Sequence, residues 1–203
     1  MSDRARRVLD LGGAGAAAVV LAPVAGVVAW KVRRELGSPV LFRQQRAGRD
    51  GVPFTLLKFR SMRDRFPDEE LYVDDAARLT PFGARLRAAS LDELPQLVNV
   101  LRGDMALVGP RPLPVSYVER YDARQRRRLE VRPGITGWAQ VNGRNAVSWP
   151  EKFELDVWYV DHRSTKLDFE IMWKTVSQVV GGHGVSADGH ATMEPFTGNE
   201  HEE

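Results

Sequence analysis

The stretch from Leu11 to Trp30 carries no charged residue, and Ala, Val, Leu and Gly make up most of it. It has about the 20 residues that a helix needs to cross the hydrocarbon core of a bilayer. A cleaved secretory signal is disfavoured because Pro23 precedes the best small-residue exit, near Ala25, and basic sequence follows directly. The flanks on both sides are basic, with Arg4, Arg6 and Arg7 before the stretch and Lys31, Arg33 and Arg34 after it.

Two features decide between topologies for this segment. Pro23 lies near its middle, where proline removes a backbone hydrogen bond and kinks a helix. The positive-inside rule places basic flanks on the cytoplasmic side, and both flanks satisfy it only if the chain enters and leaves through one face. We therefore predict a re-entrant membrane helix-break-helix over residues 1–36, with its break at Ala22-Pro23, and a cytoplasmic domain over residues 37–203. A single membrane-spanning helix is the alternative.

Charge and cysteine content narrow the classes of function. The formal net charge is only +2, although the sequence pI is about 9.1. The chain has no Cys, which excludes disulfides, thiolate zinc sites and a Cys nucleophile. Arginine-rich patches suit a membrane, a phosphate or a nucleic acid equally well. Because acidic residues are interspersed with these patches rather than segregated from one basic face, we expect no nucleic-acid partner.

The rest of the chain predicts a mainly helical α+β domain. Residues 40–59 predict a small β-hairpin, because the apolar runs at 40–42 and 54–57 lie on either side of turn residues at 48–51. Thr80-Pro81 is a strong helix start, and residues 168–180 form an amphipathic pattern that suits a helix lying at a membrane interface or packing in a core. Residues 117–129 suggest a charged helix with a solvated face or one on anionic headgroups. Residues 63–78 suggest an exposed loop or short helix.

The segment from Ser90 to Pro112 is the most informative for chemistry. It begins with adjacent carboxylates at Asp92 and Glu93 and ends with Arg111 between two prolines. A carboxylate can attack phosphorus or hold a divalent cation, and the planar fork of Arg can clamp phosphate oxygens. Ser90 and Glu93 also match a helix capping box, so a structural role for Glu93 is the alternative.

Further cations and glycine-rich stretches accompany this segment. Lys58 and Arg60 follow the second strand of the predicted hairpin, and Arg144 lies in the second of two glycine-rich stretches, residues 132–138 and 142–145. We predict both stretches to be loops whose glycines allow close approach of the backbone to a ligand. Neither matches a Walker loop or a dinucleotide-binding fingerprint.

Together these stretches resemble the bacterial sugar transferase family, the monotopic polyprenyl-phosphate phosphoglycosyl transferases. The resemblance rests on KFRSM at 58–62, LDELPQL at 91–97, GDM through GPRP at 103–112, RPGITGW at 132–138 and NGR at 142–144. It implies transfer of a sugar 1-phosphate from a UDP-sugar to polyprenyl (undecaprenyl) phosphate, with release of UMP. It also implies a Mg²⁺ cofactor, held by Asp92 and Glu93, and a ping-pong cycle through a phosphoglycosyl intermediate on Asp92. Arg111, Lys58, Arg60 and Arg144 would bind the substrate phosphates.

The resemblance extends to the sugar and to the location of the protein. Residues 184–193 are similar to the tail of small enzymes that act on bacillosamine-type sugars, which favours UDP-N,N'-diacetylbacillosamine or a related N-acetylated 6-deoxy sugar. The alternatives are the same chemistry on UDP-galactose or UDP-glucose in exopolysaccharide initiation, and a non-catalytic membrane-anchored scaffold. We expect a bacterial inner-membrane protein with its catalytic domain in the cytoplasm, and the sequence leaves open whether it forms a homodimer.

Overall fold

The computed structural model describes residues 3–64, 78–143, 147–181 and 195–199. Its helices are α1 (Asp3–Leu36), α2 (Pro81–Ala88), α3 (Gln96–Arg102), α4 (Ala123–Arg126), α5 (Trp138–Asn142), α6 (Trp149–His162) and α7 (Thr165–Val180). Its strands are β1 (Leu41–Ala47), β2 (Pro53–Phe59), β3 (Ala106–Val108) and β4 (Gly134–Thr136). The predicted class, α+β with helices in the majority, is confirmed.

The predicted hairpin is present. Strands β1 and β2 pair antiparallel, from Leu41 opposite Phe59 to Ala47 opposite Pro53, and a short 3₁₀ turn at Arg49–Gly51 joins them. Residues directly opposite one another in such a pair point to the same face of the sheet. The register therefore places the side chains of Lys58 and Arg46 on one face, because Lys58 lies opposite Phe42 and Arg46 opposite Phe54.

The first glycine-rich stretch is not the loop we predicted. Residues Gly134–Thr136 form β4, which pairs parallel with β3, and Trp138–Asn142 form α5 directly after it. The glycines bring two backbones together: a Cβ on Gly134 would lie 2.1 Å from the amide nitrogen of Gly109. The backbone that approaches this closely belongs to the segment leading to Arg111, rather than to a ligand.

Helix α1 runs without interruption through Ala22-Pro23, so the predicted break between two helices is absent. It is the one helix in the described residues long and apolar enough to cross a membrane. One face packs on the domain towards both ends of the helix, where Ala14, Val28 and Val32 are buried. Arg7 near its start donates to the carbonyls of Val100 and Leu101, at 2.6 and 3.0 Å. Ala14 belongs to a cluster with Phe54, Leu56, Val100 and Met105, and Val28 and Val32 to one with Phe59 and Leu86.

The predicted helix starts and stops are confirmed at two places. Thr80 caps α2, its Oγ1 accepting a hydrogen bond from the amide of Gly83 at 3.0 Å. Helix α7 ends immediately before Gly181, as expected, but begins at Thr165, because the hydroxyl of Ser164 caps it. The apolar face of α7 is divided: Ile171 is buried, whereas Phe169, Trp173 and Val176 are exposed.

The prediction of one charged helix over residues 117–129 is wrong, because the region does not form a continuous helix. The region consists of a 3₁₀ turn at Val115–Arg120, the short helix α4, and a second 3₁₀ turn at Arg127–Glu130. Asp122 causes the interruption, because its side chain forms a capping box with Gln125 and so begins a new helix inside the expected one. Helix α6, which packs beside these turns, was not predicted.

Candidate active site

Asp92 and Glu93 lie on a 3₁₀ turn, Leu91–Glu93, between α2 and α3. Ser90 enters this turn in the left-handed conformation, with φ of 53°, and its side chain makes no capping hydrogen bond. The predicted capping box of Ser90 and Glu93 is therefore wrong, since a capping residue needs an extended backbone. Helix α3 begins only at Gln96, after Pro95, which leaves the acidic pair ahead of the helix.

The carboxylate of Glu93 joins two of the predicted cations. Its Oε1 accepts hydrogen bonds from Lys58 Nζ at 2.7 Å and from Arg111 Nη2 at 2.8 Å. Lys58 Nζ also lies 3.8 Å from Asp92 Oδ2. The side chain of Asp92 is 9% exposed and that of Arg111 is 47% exposed, so the cluster is open to solvent on the arginine side. The structure thus brings together four of the residues that the sequence singled out.

The pKa values of the two carboxylates are shifted in opposite directions. Burial raises the pKa of Asp92 above the usual value for Asp, although Lys58 partly offsets that effect. Burial acts in the same direction on Glu93, but Arg111 and Lys58 overcome it and hold the pKa of Glu93 at about 2. Glu93 is therefore a fixed negative charge, and Asp92 is the more basic carboxylate of the pair. Such a separation of pKa values between neighbouring acids assigns them different tasks.

The backbone of Arg111 is held from two directions. The amide of Gly109 donates to the carbonyl of Thr136 at 2.8 Å, and the amide of Gly134 donates to the carbonyl of Pro110 at 3.0 Å. From the other side, Arg128 Nη2 donates to the carbonyl of Arg111 at 2.7 Å. The guanidinium that meets Glu93 therefore extends from an anchored backbone.

Of the other two predicted phosphate-binding residues, Arg60 is not part of this cluster. Within the described ranges, Arg60 contacts the carbonyl of Ser38 at 3.2 Å and Asp64 at 2.9 Å, and it makes no contact with Asp92 or Glu93. Arg144 lies outside the described residues, as does the tail at 184–193 on which the sugar prediction depends.

Sequence reasoning missed the ion pair of Arg128 and Asp156. Arg128 is 3% exposed and binds Asp156 Oδ2 through Nε and Nη2, at 3.0 and 2.8 Å. We had interpreted the arginine run as a solvated or lipid-facing surface, but Arg124 and Arg127 also pair with acids of α6, namely Glu154 and Asp161. The four-residue spacing of Tyr121, Gln125 and Leu129 was the sequence signal for a buried face in this region, and all three side chains are buried.

Comparison with known proteins agrees with the motifs. Residues 1–182 match the model of the bacterial sugar transferase family. The chain is 54% identical over 168 residues to the uncharacterized sugar transferase EpsL of Bacillus subtilis, a match covering 83% of each chain. It is 40% identical over 188 residues to the UDP-glucose:undecaprenyl-phosphate glucose-1-phosphate transferase of Caulobacter vibrioides, covering 88% of this chain and 70% of that one.

A third relative is longer. The chain is 38% identical over 194 residues to the galactosyl transferase CpsE of Streptococcus agalactiae, which covers 89% of this chain but only 43% of the relative. The match to the family model and the matches to these three relatives each extend over more than four-fifths of the chain. On this evidence the chain belongs to the bacterial sugar transferase family.

Proposed function

We propose that the protein transfers a sugar 1-phosphate from a UDP-sugar to polyprenyl (undecaprenyl) phosphate and releases UMP. The observation that carries this proposal is the buried carboxylate of Asp92 beside Lys58, with Glu93 held between Lys58 and Arg111. A basic carboxylate next to two cations suits attack on an anionic diphosphate, because the cations offset the repulsion between nucleophile and substrate. The printed name of the Caulobacter relative describes the same class of reaction.

In the proposed mechanism Asp92 is the nucleophile. One of its oxygens forms a bond to the phosphorus that carries the sugar, and the bond from that phosphorus to the bridging oxygen breaks, its electron pair leaving with UMP. An oxygen of polyprenyl phosphate then attacks the same phosphorus, and the bond to Asp92 breaks. The raised pKa of Asp92 favours the first step, because it makes the ionised carboxylate a stronger nucleophile.

Glu93 and the cations organise this chemistry. The ionised Glu93 holds the Lys58 ammonium and the Arg111 guanidinium on either side of one carboxylate oxygen. The half-exposed Arg111 can reach substrate oxygens from solvent, and its fork suits two oxygens of one phosphate. We assign to Lys58 the role of offsetting negative charge beside the nucleophile. We assign to Arg111 the role of binding the transferred phosphoryl group.

The acidic pair also fits a Mg²⁺ ion. This ion commonly takes one or two carboxylates and completes its shell with water and substrate phosphate oxygens. The described residues contain no group of three or more potential ligand side chains, so Asp92 and Glu93 would hold the ion together with the substrate. When bound, Mg²⁺ would neutralise charge on the phosphate oxygens.

We further propose a bacterial inner-membrane location, with residues 1–36 in the membrane and the catalytic domain, residues 37–203, in the cytoplasm. Both ends of α1 contact the same domain, through Arg7 and through Val32, and we therefore propose that both ends lie on the cytoplasmic side although the helix is uninterrupted. Cysteines introduced at Ser2 and Ser38 should then react with an impermeant thiol reagent from the same side. Labelling from opposite sides would establish a spanning helix instead.

For the sugar, the names of the relatives favour glucose or galactose over bacillosamine. The Caulobacter and Streptococcus relatives are named for glucose and galactose. Purified protein should be incubated with Mg²⁺, polyprenyl phosphate and one of UDP-glucose, UDP-galactose or UDP-N,N'-diacetylbacillosamine, while UMP release is measured. Release with one sugar, together with a sugar-phosphate adduct on Asp92 detected by mass spectrometry, is the expected result. Absence of UMP with every sugar would favour a scaffold, and an adduct on another residue would remove the covalent role of Asp92.

A further inference from the structure

The strand β1 ends beside the segment that carries Arg111. The amide of Ala47 donates to the carbonyl of Leu113 at 3.0 Å, and Arg46 forms an isolated antiparallel bridge with Pro114. Arg46 thus lies on the face of the hairpin that also carries Lys58, and next to the backbone that continues from Arg111. The fold thus places a third cation near Arg111.

Arg46 is partly buried and lacks the partners that such a guanidinium needs. Within the described ranges it makes one side-chain hydrogen bond, from Nη2 to Gln44 Oε1 at 2.6 Å, and no ion pair. Its Nε is buried and has no hydrogen-bond partner among the described residues. A buried charge without a carboxylate, and a buried donor without an acceptor, both cost stability.

The surroundings of Arg46 are themselves positive. Burial, followed by the charge of Arg111, lowers the pKa of Arg46 to about 10. On helix α6, burial and the charge of Arg111 also lower the pKa of Lys152. Arg46 and Lys152 each lie within electrostatic range of Arg111, and this added positive charge favours the approach of an anion.

We infer that Arg46 binds the phosphate that stays with the leaving nucleotide, one phosphate further along the diphosphate than the group held by Arg111. This inference rests on the proposed function. If Arg111 and Lys58 hold the phosphoryl group next to Asp92, the second phosphate is bonded directly to it and needs the next cation in line. Arg46 supplies that cation.

The position of Arg46 favours the soluble nucleotide over the lipid acceptor. Arg46 lies within electrostatic range of Tyr117 and Tyr121, which belong to a cluster that, in the described part of the chain, contains no residue of α1. A phosphate tethered to a lipid would reach Asp92 from the side of α1, which is the membrane segment of the proposal. A phosphate bound at Arg46 therefore belongs to the partner that arrives from solvent.

The test is direct binding of UDP, in the presence of Mg²⁺, to the purified full-length protein and to three variants. Arg46→Gln should weaken UDP binding roughly 10- to 100-fold, the range expected when a charge-assisted hydrogen bond to phosphate is lost. Arg46→Lys should recover part of that loss. Arg43→Gln, which removes an exposed arginine from the same strand, should bind UDP as the wild type does.

Two further measurements separate binding from a structural role. The melting temperature of Arg46→Gln should equal or exceed that of the wild type, because the substitution removes an unpaired buried charge. In the transfer reaction, KM for the UDP-sugar should rise while KM for polyprenyl phosphate stays unchanged. Equal UDP affinity for the wild type and Arg46→Gln, or a rise confined to the KM of polyprenyl phosphate, would overturn the inference. UDP binding through Arg46 without UMP release would leave the inference standing and remove the proposed function.

Discussion

The guanidinium of Arg128 donates a 2.7 Å hydrogen bond to the backbone carbonyl of Arg111. Arg128 is itself fixed by Asp156, through two hydrogen bonds to one carboxylate oxygen in the protein interior. Breaking a buried pair by removing one partner is expensive, because the other charge is left buried and uncompensated. This interior ion pair therefore supports the arginine that faces the candidate active site.

The first prediction concerns that support. Arg128→Met should lower the free energy of unfolding by about 3–5 kcal/mol, since Asp156 loses its partner. Arg124→Met is the matched control, because the side chains of Arg124 and Glu154 are both more than half exposed and their pair should contribute little to stability. Thermal or chemical unfolding of both variants in the same detergent measures the difference. Similar small losses in the two would show that the interior pair is dispensable.

The second prediction separates activity from stability at Asp92. Asp92→Asn should reduce UMP release by roughly 10⁴-fold or more, as expected for loss of a nucleophile. Because the pKa of Asp92 is raised, its ionised form disfavours the folded state, and the variant should be as stable as the wild type or more stable at pH 7. Any gain should shrink below the pKa of an ordinary Asp, where both proteins are neutral at this position.

Melting temperatures across pH, together with UMP release at pH 7, test this pair of effects. Asp161→Asn, which changes an exposed carboxylate on α6, should keep full activity and serves as the control. A variant at Asp92 that is inactive because it no longer folds would contradict the prediction, as would one that releases UMP at the native rate.

The third prediction concerns Glu93, whose substitution should lower stability at pH 7 rather than preserve or raise it. The pKa of Glu93 is held at about 2, below its ordinary value, so its charge stabilises the folded state above about pH 4.5. Glu93→Gln should therefore lower stability at pH 7 by roughly 1–3 kcal/mol, leaving Lys58 and Arg111 without their shared carboxylate. The difference should narrow as the pH falls from 4.5 towards 2. Unfolding measured in denaturant at pH 7, 5 and 3 tests the trend, and a constant difference would refute it.

The fourth prediction concerns the close approach of the Gly134 backbone to Gly109, two residues before Arg111. Gly134→Ala places a methyl group 2.1 Å from the amide nitrogen of Gly109, so β4 must separate from the segment that carries Arg111. We expect a loss of more than 2 kcal/mol in stability and a fall in activity in the protein that still folds. Gly12→Ala meets nothing within 4 Å and should be neutral or stabilising by up to about 1 kcal/mol. Equal stability of the two variants would show that the close approach is not required.

Several elements could be predicted because their signals are local. The hairpin follows from two apolar runs on either side of a turn, and α2 follows from Thr80-Pro81. The family motifs named Asp92, Glu93, Lys58 and Arg111 as site residues, although they did not predict the pairing of Glu93 with the two cations. In each case a few adjacent residues determine the conformation or mark the chemistry.

The remaining features depend on contacts between distant parts of the chain. The pattern of Ser90 and Glu93 fits a helix cap, but Lys58 and Arg111, 35 and 18 residues from Glu93, take its carboxylate instead. The parallel pairing of β3 with β4 joins three-residue strands too short to show a period. Arg46 and Arg128 look like ordinary surface arginines in sequence, and only the neighbours that bury them reveal otherwise.

Helix α1 completes two hydrophobic clusters of the domain with one face and exposes apolar side chains on the other, among them Val19, Val20 and Val27. In the proposed location those exposed side chains would meet acyl chains. The bilayer would then act thermodynamically as a ligand of the native state, because lipid contacts that retain the helix also retain the packing around Met105 and Phe59. Solubilisation should accordingly shift the unfolding equilibrium of the catalytic domain itself, and detergent choice becomes a variable of its stability.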